Sequence, residues 1–220
     1  MNISWLGQSC FRIEDKIQNQ PVVIVTDPFH DEATGLKLPK MEADLVCVSH
    51  NHDDHNNILA VGAIDGKNPV IIDRPGEYEI KNVFIKGIGS YHDKKNGEEL
   101  GKSVMFHMYV NGINLLHLGD LGTTLSDSQL EKIGEVDILF VPVGGKWTID
   151  AIEAGAVVRQ IEPRIVIPMH YAIPGLKIEL DLVEKFKKEM GGKFETMPKL
   201  KISAKDLPVD EIKLIVLDRD

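Results

Sequence analysis

Short apolar runs broken by turn residues fill the first half of the chain. Residues 3–6, 10–13 and 22–26 are apolar or alternating, with Gly, Asn and the Gln20-Pro21 pair between them, the pattern of strands joined by turns. Residues 31–40 carry Gly35 and Pro39 and read as loop, whereas Leu45-Val46-Cys47-Val48 reads as a buried strand ending at Ser49. Residues 58–64 suggest a short helix, and the turn at 65–69 leads into a strand at 70–73. Two hairpins follow, one across Lys81-Asn82 and one across Asn111-Gly112, the dipeptide that most strongly marks a two-residue hairpin loop. The strand at 85–90 ends in a polar stretch, 91–102.

Beyond residue 118 the texture changes to helix alternating with strand. Ser126 with Gln129, and Asp150 with Glu153, are capping boxes that start helices running to Ile133 and Ile161. Apolar strands at 138–141 and 165–167 follow them, residues 180–190 form an amphipathic helix stopped by Gly191-Gly192, and 212–217 is a last strand. Strands in both halves with helices between them predict an α/β sandwich, two mainly antiparallel sheets face to face with helices outside. Residues 1–220 fit one domain with a substantial core.

Composition narrows the function classes. A net charge of −9 argues against a non-specific nucleic-acid or anionic-membrane binder, which needs a basic field. Cys10 and Cys47 both lie inside strand-like runs and read as buried thiols, not as a disulfide or a metal pair. The chain opens without a charged-then-apolar leader and holds no apolar run of membrane-spanning length, so a reducing, cytoplasmic setting is expected.

The candidate chemistry is concentrated in Ser49-His50-Asn51-His52-Asp53-Asp54-His55, directly after the strand at 45–48. A chance HxHxDH in a chain of this composition has odds on the order of one in a thousand. Imidazole and carboxylate suit first-row divalent metals. His50 and His52, two apart, can face one ion, while Asp54 and His55 lie past the turn and can reach a second. His92, Asp120 and His170 each sit just beyond an apolar strand, where loops carry function on a rigid scaffold. His107 and His117 lie inside strand runs and read as structural; His30 borders Asp27-Pro28-Phe29. Asp27 is either a turn former or a carboxylate that orients a ligand histidine through its other ring nitrogen.

The HxHxDH motif resembles the signature of the metallo-β-lactamase-fold hydrolases. The first motif Ile3-Ser4-Trp5-Leu6-Gly7-Gln8-Ser9-Cys10, then Thr26-Asp27-Pro28-Phe29, Leu118-Gly119-Asp120, Pro142-Val143-Gly144-Gly145 and Pro168-Met169-His170-Tyr171, extend the resemblance over the chain in the family's order. They are similar to the branch that contains ascorbate-6-phosphate lactonase-like proteins and small Zn-dependent hydrolases. Gln8 stands where that branch usually has histidine, and an amide cannot titrate.

The resemblance implies the four-layered αββα sandwich. It also implies that His50, His52 and His92 hold one ion, Asp54, His55 and His170 a second, and that Asp120 bridges them. Zinc is the expected metal, with manganese or iron compatible with the same donors. Redox di-iron members typically carry glutamate at the position of His52, so the histidine implies hydrolysis. Two such ions about 3.5–4 Å apart activate a hydroxide for attack on a carbonyl or phosphoryl centre of a small molecule. Asp120, Tyr171 and Lys94 are candidate proton donors to the leaving group, with Asp54 beside the reacting water. Gly144-Gly145-Lys146-Trp147 can line the mouth, Trp147 being either an apolar wall or core packing, and Tyr171 is expected to touch substrate. A lactone, ester, amide or phosphoester hydrolase is the first reading. A nuclease or phosphodiesterase, which the net charge opposes, and a non-catalytic member of the fold are the alternatives.

Overall fold

A computed structural model describes residues 1–220. Along the chain, β1 (Asn2–Gly7), β2 (Cys10–Ile17) and β3 (Gln20–Thr26) form an antiparallel meander, followed by a single helical turn, α1 (Asp31–Thr34). Eight strands come next: β4 (Met41–Ala43), β5 (Leu45–Cys47), β6 (Val61–Ala63), β7 (Val70–Ile72), β8 (Gly76–Ile80), β9 (Val83–Tyr91), β10 (Lys102–Val110) and β11 (Ile113–His117). Helices then alternate with strands: α2 (Asp127–Ile133), β12 (Ile138–Pro142), α3 (Ala151–Ile161), β13 (Ile165–Met169) and α4 (Val183–Met190), with β14 (Phe194–Met197), β15 (Leu200–Lys201) and β16 (Lys213–Leu217) closing the chain.

The capping boxes at Ser126 and Asp150 form as the sequence predicts, and α2 and α3 begin right after them. Both hairpins form too, with Lys81, Asn82, Asn111 and Gly112 all at positive φ, the backbone that a tight turn of the strands' own twist requires. The expected helix over 58–64 does not form. A 3₁₀ turn at Ile58–Ala60 runs directly into β6, which pairs with β4. Within the expected loop at 31–40, α1 makes one turn, and α4 starts at Val183, leaving 180–182 irregular.

Two sheets face each other, in the orders β15-β1-β2-β3-β5-β7 and β14-β16-β13-β12-β11-β10-β9-β8. They are mixed, not mainly antiparallel. β3, β5 and β7 pair in parallel in the first sheet, and β11, β12, β13, β16 and β14 in the second. Helical crossovers from β11 through α2 and α3 to β13 impose the parallel half.

Alternation along the strands builds the layers. In the first sheet Ile3, Trp5, Phe11, Ile13, Ile24, Leu45 and Cys47 face the space between the sheets, while Leu6, Cys10, Val25 and Val46 face outward. Phe29, Leu36, Leu38, Met41 and Val61 cover that outer face, so the outer layer on this side is coil, α1 and the β4–β6 ribbon. On the second sheet β12 and β13 are buried throughout, their outer side covered by Ala154, Val157 and Val158 of α3 and Phe186 of α4. No helix is long and apolar enough to cross a membrane.

Candidate metal centre

Strand direction gathers the site. β9 and β11 both run antiparallel to β10, and β11 and β13 flank β12 in parallel, so β9, β11 and β13 end at one rim of the second sheet. His92, Asp120 and His170 follow those ends. Across the sandwich, β3 and β5 run parallel and deliver Asp27 and the 49–55 motif to the same place. The tip of the β1–β2 hairpin, Gln8-Ser9, is buried beneath them.

Two groups of donor atoms result, each with its members within 4.8 Å of one another: His50, His52 and His92; and Asp54, His55, Asp120 and His170. Asp120 links them. Its Oδ2 lies 3.2 Å from His55 Nε2, 3.4 Å from His170 Nε2 and 3.4 Å from His92 Nε2. His50 Nε2 and His52 Nδ1 are 3.0 Å apart. The Nε2 atoms of His55 and His170 are buried without an aligned hydrogen bond, despite carboxylate oxygens within 4 Å. Buried ring nitrogens are rarely left unpaired. Nitrogens converging on shared space beside two carboxylates fit a bound cation, which is the donor chemistry of zinc and its neighbours.

The supports behind these donors are well defined. Asp27, buried and held at φ +38, accepts from Ser49 N at 2.6 Å and Ser49 Oγ at 2.8 Å, and its Oδ2 lies 3.1 Å from His55 Nδ1. It is thus both the turn residue and the carboxylate behind a candidate ligand histidine. Ser49 Oγ also meets His50 Nδ1 at 2.9 Å, and Ser9 Oγ donates to Asp120 Oδ1 at 3.4 Å. Neither serine carries a signal of its own in the sequence, although Ser9 lies in the 3–10 stretch and Ser49 opens the 49–55 stretch. His117 is fixed as a neutral tautomer: Nε2 donates to Ser9 O at 2.9 Å, and Nδ1 accepts from Gly119 N at 3.2 Å. His107 lies on the outer side of β10, away from the centre, and the His30 amide donates to Asp53 O at 2.9 Å, bracing the motif loop.

Charge within the centre follows from burial. Burial works to raise the Asp120 and Asp54 carboxyls, yet both lie well below the usual range because His170 and His55 oppose them for Asp120, and His55 first for Asp54. His55 is pushed the other way: burial disfavours its charge, but Asp120 and Asp54 hold it protonated far above its ordinary value. His50 is forced down to about 3 by burial and then by the His55 charge, and burial also lowers His92. A positive charge is therefore built into the carboxylate group, and a divalent ion would take the place of the His55 proton.

Several expectations change here. His92 lies in a polar stretch that reads as solvent-facing, yet it is only 2% exposed. The cause is Asp93, which turns inward and accepts from the amides of Lys95, Gly97, Glu99 and Leu100 at 2.7–3.1 Å. Those four bonds hold its carboxyl down at about 2. Gly122 backs the His92 segment so closely that a Cβ there would meet the His92 carbonyl carbon at 2.3 Å. Tyr171 does not reach the mouth: it is 4% exposed and packs on Trp5 at 4.9 Å, past the left-handed bend at His170. Burial raises its hydroxyl pKa further, making it a weaker acid. Lys94 pairs with Glu153 at 2.5 Å in a neighbouring hollow. The Gln8 side-chain amide is buried with neither polar atom partnered, while the Gln8 backbone carbonyl accepts from Trp5 Nε1 at 2.8 Å and His170 N at 3.2 Å.

A cleft of about 680 Å³ opens over the donors. His52, Asp54, His92, Asp120 and His170 form its floor, and Leu100, Lys146, Trp147, Lys177, Ile178 and Glu179 line its sides. Trp147 is 47% exposed and so serves as wall, not core. Its loop is brought in by Gly144, where a Cβ would lie 2.2 Å from the His170 carbonyl oxygen.

An αββα sandwich with histidines and carboxylates at this rim defines the metallo-β-lactamase class of fold. The description "Beta-lactamase superfamily domain" fits residues 2–170, and the chain belongs to that superfamily. A UPF0173 protein of Pyrococcus furiosus is 31% identical over 213 residues, covering 86% of this chain and 90% of its own. A UPF0173 metal-dependent hydrolase of Thermococcus onnurineus is 27% identical, covering 90% and 95%. The crystal structure of a metallo-beta-lactamase superfamily protein from Thermotoga maritima, described as a candidate Zn-dependent hydrolase, superposes with a TM-score of 0.78 at 36% identity, covering 98% and 97%.

Proposed function

We propose that the protein is a metal-dependent hydrolase whose two donor groups hold a pair of divalent ions, zinc foremost, and act on an ester, lactone, amide or phosphoester of a small molecule. The observation that carries this reading is the pair of adjacent donor groups joined through Asp120 on the floor of an open cleft. The names of the Thermococcus and Thermotoga relatives agree with it. His50, His52 and His92 would hold one ion, Asp54, His55 and His170 the other, with Asp120 between. When bound, such ions supply a water activated near neutral pH and polarisation of the scissile group.

The chain's own residues do the rest. Asp27 fixes the His55 ring and, through Ser49, the motif backbone. Ser9 holds Asp120 from beneath. Asp54 and Asp120 stay ionised well below neutrality, so both would present negative charge to a cation on the cleft floor. Metal quantification on the purified protein, followed by a panel of lactones, esters, amides and phosphodiesters with and without chelator, tests the reading. About two equivalents of zinc or manganese and a chelator-sensitive hydrolysis are expected. Absence of bound metal after incubation with excess ion sinks it.

A further inference from the structure

We infer that the cleft selects substrates carrying an oxyanion, a carboxylate or phosphoryl group, beside a flat apolar portion, with Lys177 and Lys146 receiving the anion and Trp147 the flat portion. This deepens the reading of the site as a metal-dependent hydrolase and rests on it.

Three observations support the assignment. First, Lys177 lines the cleft and has no carboxylate within 4 Å; its ammonium has only the Glu32 carbonyl at 3.5 Å. It is held at the wall by its backbone, Lys177 N donating to Thr34 O at 2.8 Å. Second, Lys146 sits at φ +54, a left-handed conformation uncommon for a residue with a side chain, and its loop is tied on both flanks by Asp181 N to Gly144 O at 2.8 Å and Gly145 N to Ile149 O at 3.3 Å. The turn at Gly145-Lys146, closed by Thr148 N donating to Gly145 O at 3.1 Å, sets Lys146 on the cleft wall. The Lys146 partner, Glu179, is 83% exposed, so their ion pair is solvent-screened and yields readily to a competing oxyanion.

Third, bound ions would reverse the sign of the cleft relative to the whole chain. The protein carries −9, and Asp53 and Glu179 add carboxylates at the cleft. Glu179 is neutralised by Lys146, and Asp54 and Asp120 face the donor groups, where two divalent ions would outweigh them. With two divalent ions bound, the cleft would be cationic on an anionic molecule, and such a cleft focuses anions. Trp147 adjoins Lys146 in sequence, and with Leu100 and Ile178 it supplies the apolar part of the lining.

The molecule provides its own reporter, since of its two tryptophans Trp5 is 2% exposed and Trp147 is 47% exposed. Zinc-loaded protein is titrated with phenylphosphonate, benzoate and the neutral benzamide, following tryptophan emission and calorimetric heat in parallel. Both anions should bind more tightly than benzamide, and the tighter of the two tells a phosphoryl from a carboxylate preference. In the Lys146→Met/Lys177→Met double variant, anion affinity should fall roughly tenfold while benzamide binding stays as it was. Trp147→Phe should abolish the emission change and leave heat detectable.

Anion binding unchanged in the double variant means that the ions alone hold it, and overturns the inference. Equal affinity for benzamide and the anions, or an emission change that survives Trp147→Phe, overturns it too. If any of these occurs in protein that takes up zinc and hydrolyses a panel substrate, the proposed hydrolase stands and only the selectivity falls. Failure to take up zinc removes both.

Discussion

The two donor groups share one rim but are built differently. In the group of Asp54, His55, Asp120 and His170, three members are buried and only Asp54 is partly open. Behind it stand Asp27 and Ser9, both fully buried. The group of His50, His52 and His92 has an exposed member, His52, at the cleft, and its visible supports are Ser49 behind His50 and the Asp93-clamped loop behind His92. A buried, pre-oriented donor set loses little freedom when an ion arrives, whereas an exposed one must be ordered. The Asp120 group should therefore bind its ion more tightly and with more consequence for the fold.

Asp120 belongs to both sides of the comparison, so altering it should have the largest effect. Asn offers one acceptor oxygen and no charge, and it cannot serve His55, His92 and His170 from one carboxylate edge. Asp120→Asn should fold, retain at least one metal, and lose about a hundredfold or more in kcat, with any change in KM secondary. Steady-state kinetics on metal-quantified protein decide this. Near wild-type kcat would remove the linking role.

The next effect separates the groups. Asp27→Leu leaves two Ser49 donors and the His55 ring without their acceptor inside the core, which should cost about 3 kcal/mol and strip the ion of the Asp120 group. His52→Ala, at an exposed position, should lose only the other ion and leave the metal-free melting temperature within about a degree of wild type. Elemental analysis paired with thermal melts reads both quantities. Equal losses from the two variants would mean the groups do not differ in depth.

A smaller effect is expected at Asp93. Its carboxylate accepts four amide bonds, and Asn can accept on one oxygen only. Asp93→Asn should loosen residues 93–100, seen as faster hydrogen exchange there, and weaken the ion held by His92 by about tenfold, with the Asp120 group unaffected. Unchanged exchange in that loop would show that Gly122 and the neighbouring backbone suffice.

What the sequence disclosed and what it hid divide along range. The HxHxDH stretch, the capping boxes of α2 and α3 and the Asn111-Gly112 hairpin are local signals, written within a few residues, and each appears where expected. Candidate donors after strand ends were legible because a strand end places its next residue at a sheet rim. The inward turn of Asp93 was not, since a polar run of Asp, Lys, Asn and Gly reads as solvated until its backbone amides need an acceptor. Tyr171 reads as a substrate contact and Trp147 as either wall or core, and only the direction of each side chain reverses that order. The strands β4, β6, β14 and β15 are two to four residues long and owe their pairing to tertiary neighbours, beyond the reach of any periodicity.

The smallest predicted effect lies outside both groups, and so serves as their control. His107 is half-buried on β10, and burial, the chief influence, lowers its pKa below the ordinary 6.5. Its folded-state pKa being depressed, the unfolded chain takes up the proton first, and stability is lost as pH falls below about 6.5. His50, His92 and His117 are depressed in the same sense, so the whole protein should weaken with acid, and only a difference isolates His107. In metal-free protein, His107→Gln should match wild type in its own slope from pH 8 to 7 and then gain on it, by about 1–2 °C in melting temperature at pH 5. Metal content should not change, because the His107 ring lies on the outer side of the sheet, away from every donor of the centre. A gap that fails to grow between pH 7 and 5 would show that the His107 ring keeps an ordinary affinity for its proton, and that the other buried titratable groups account for the acid loss.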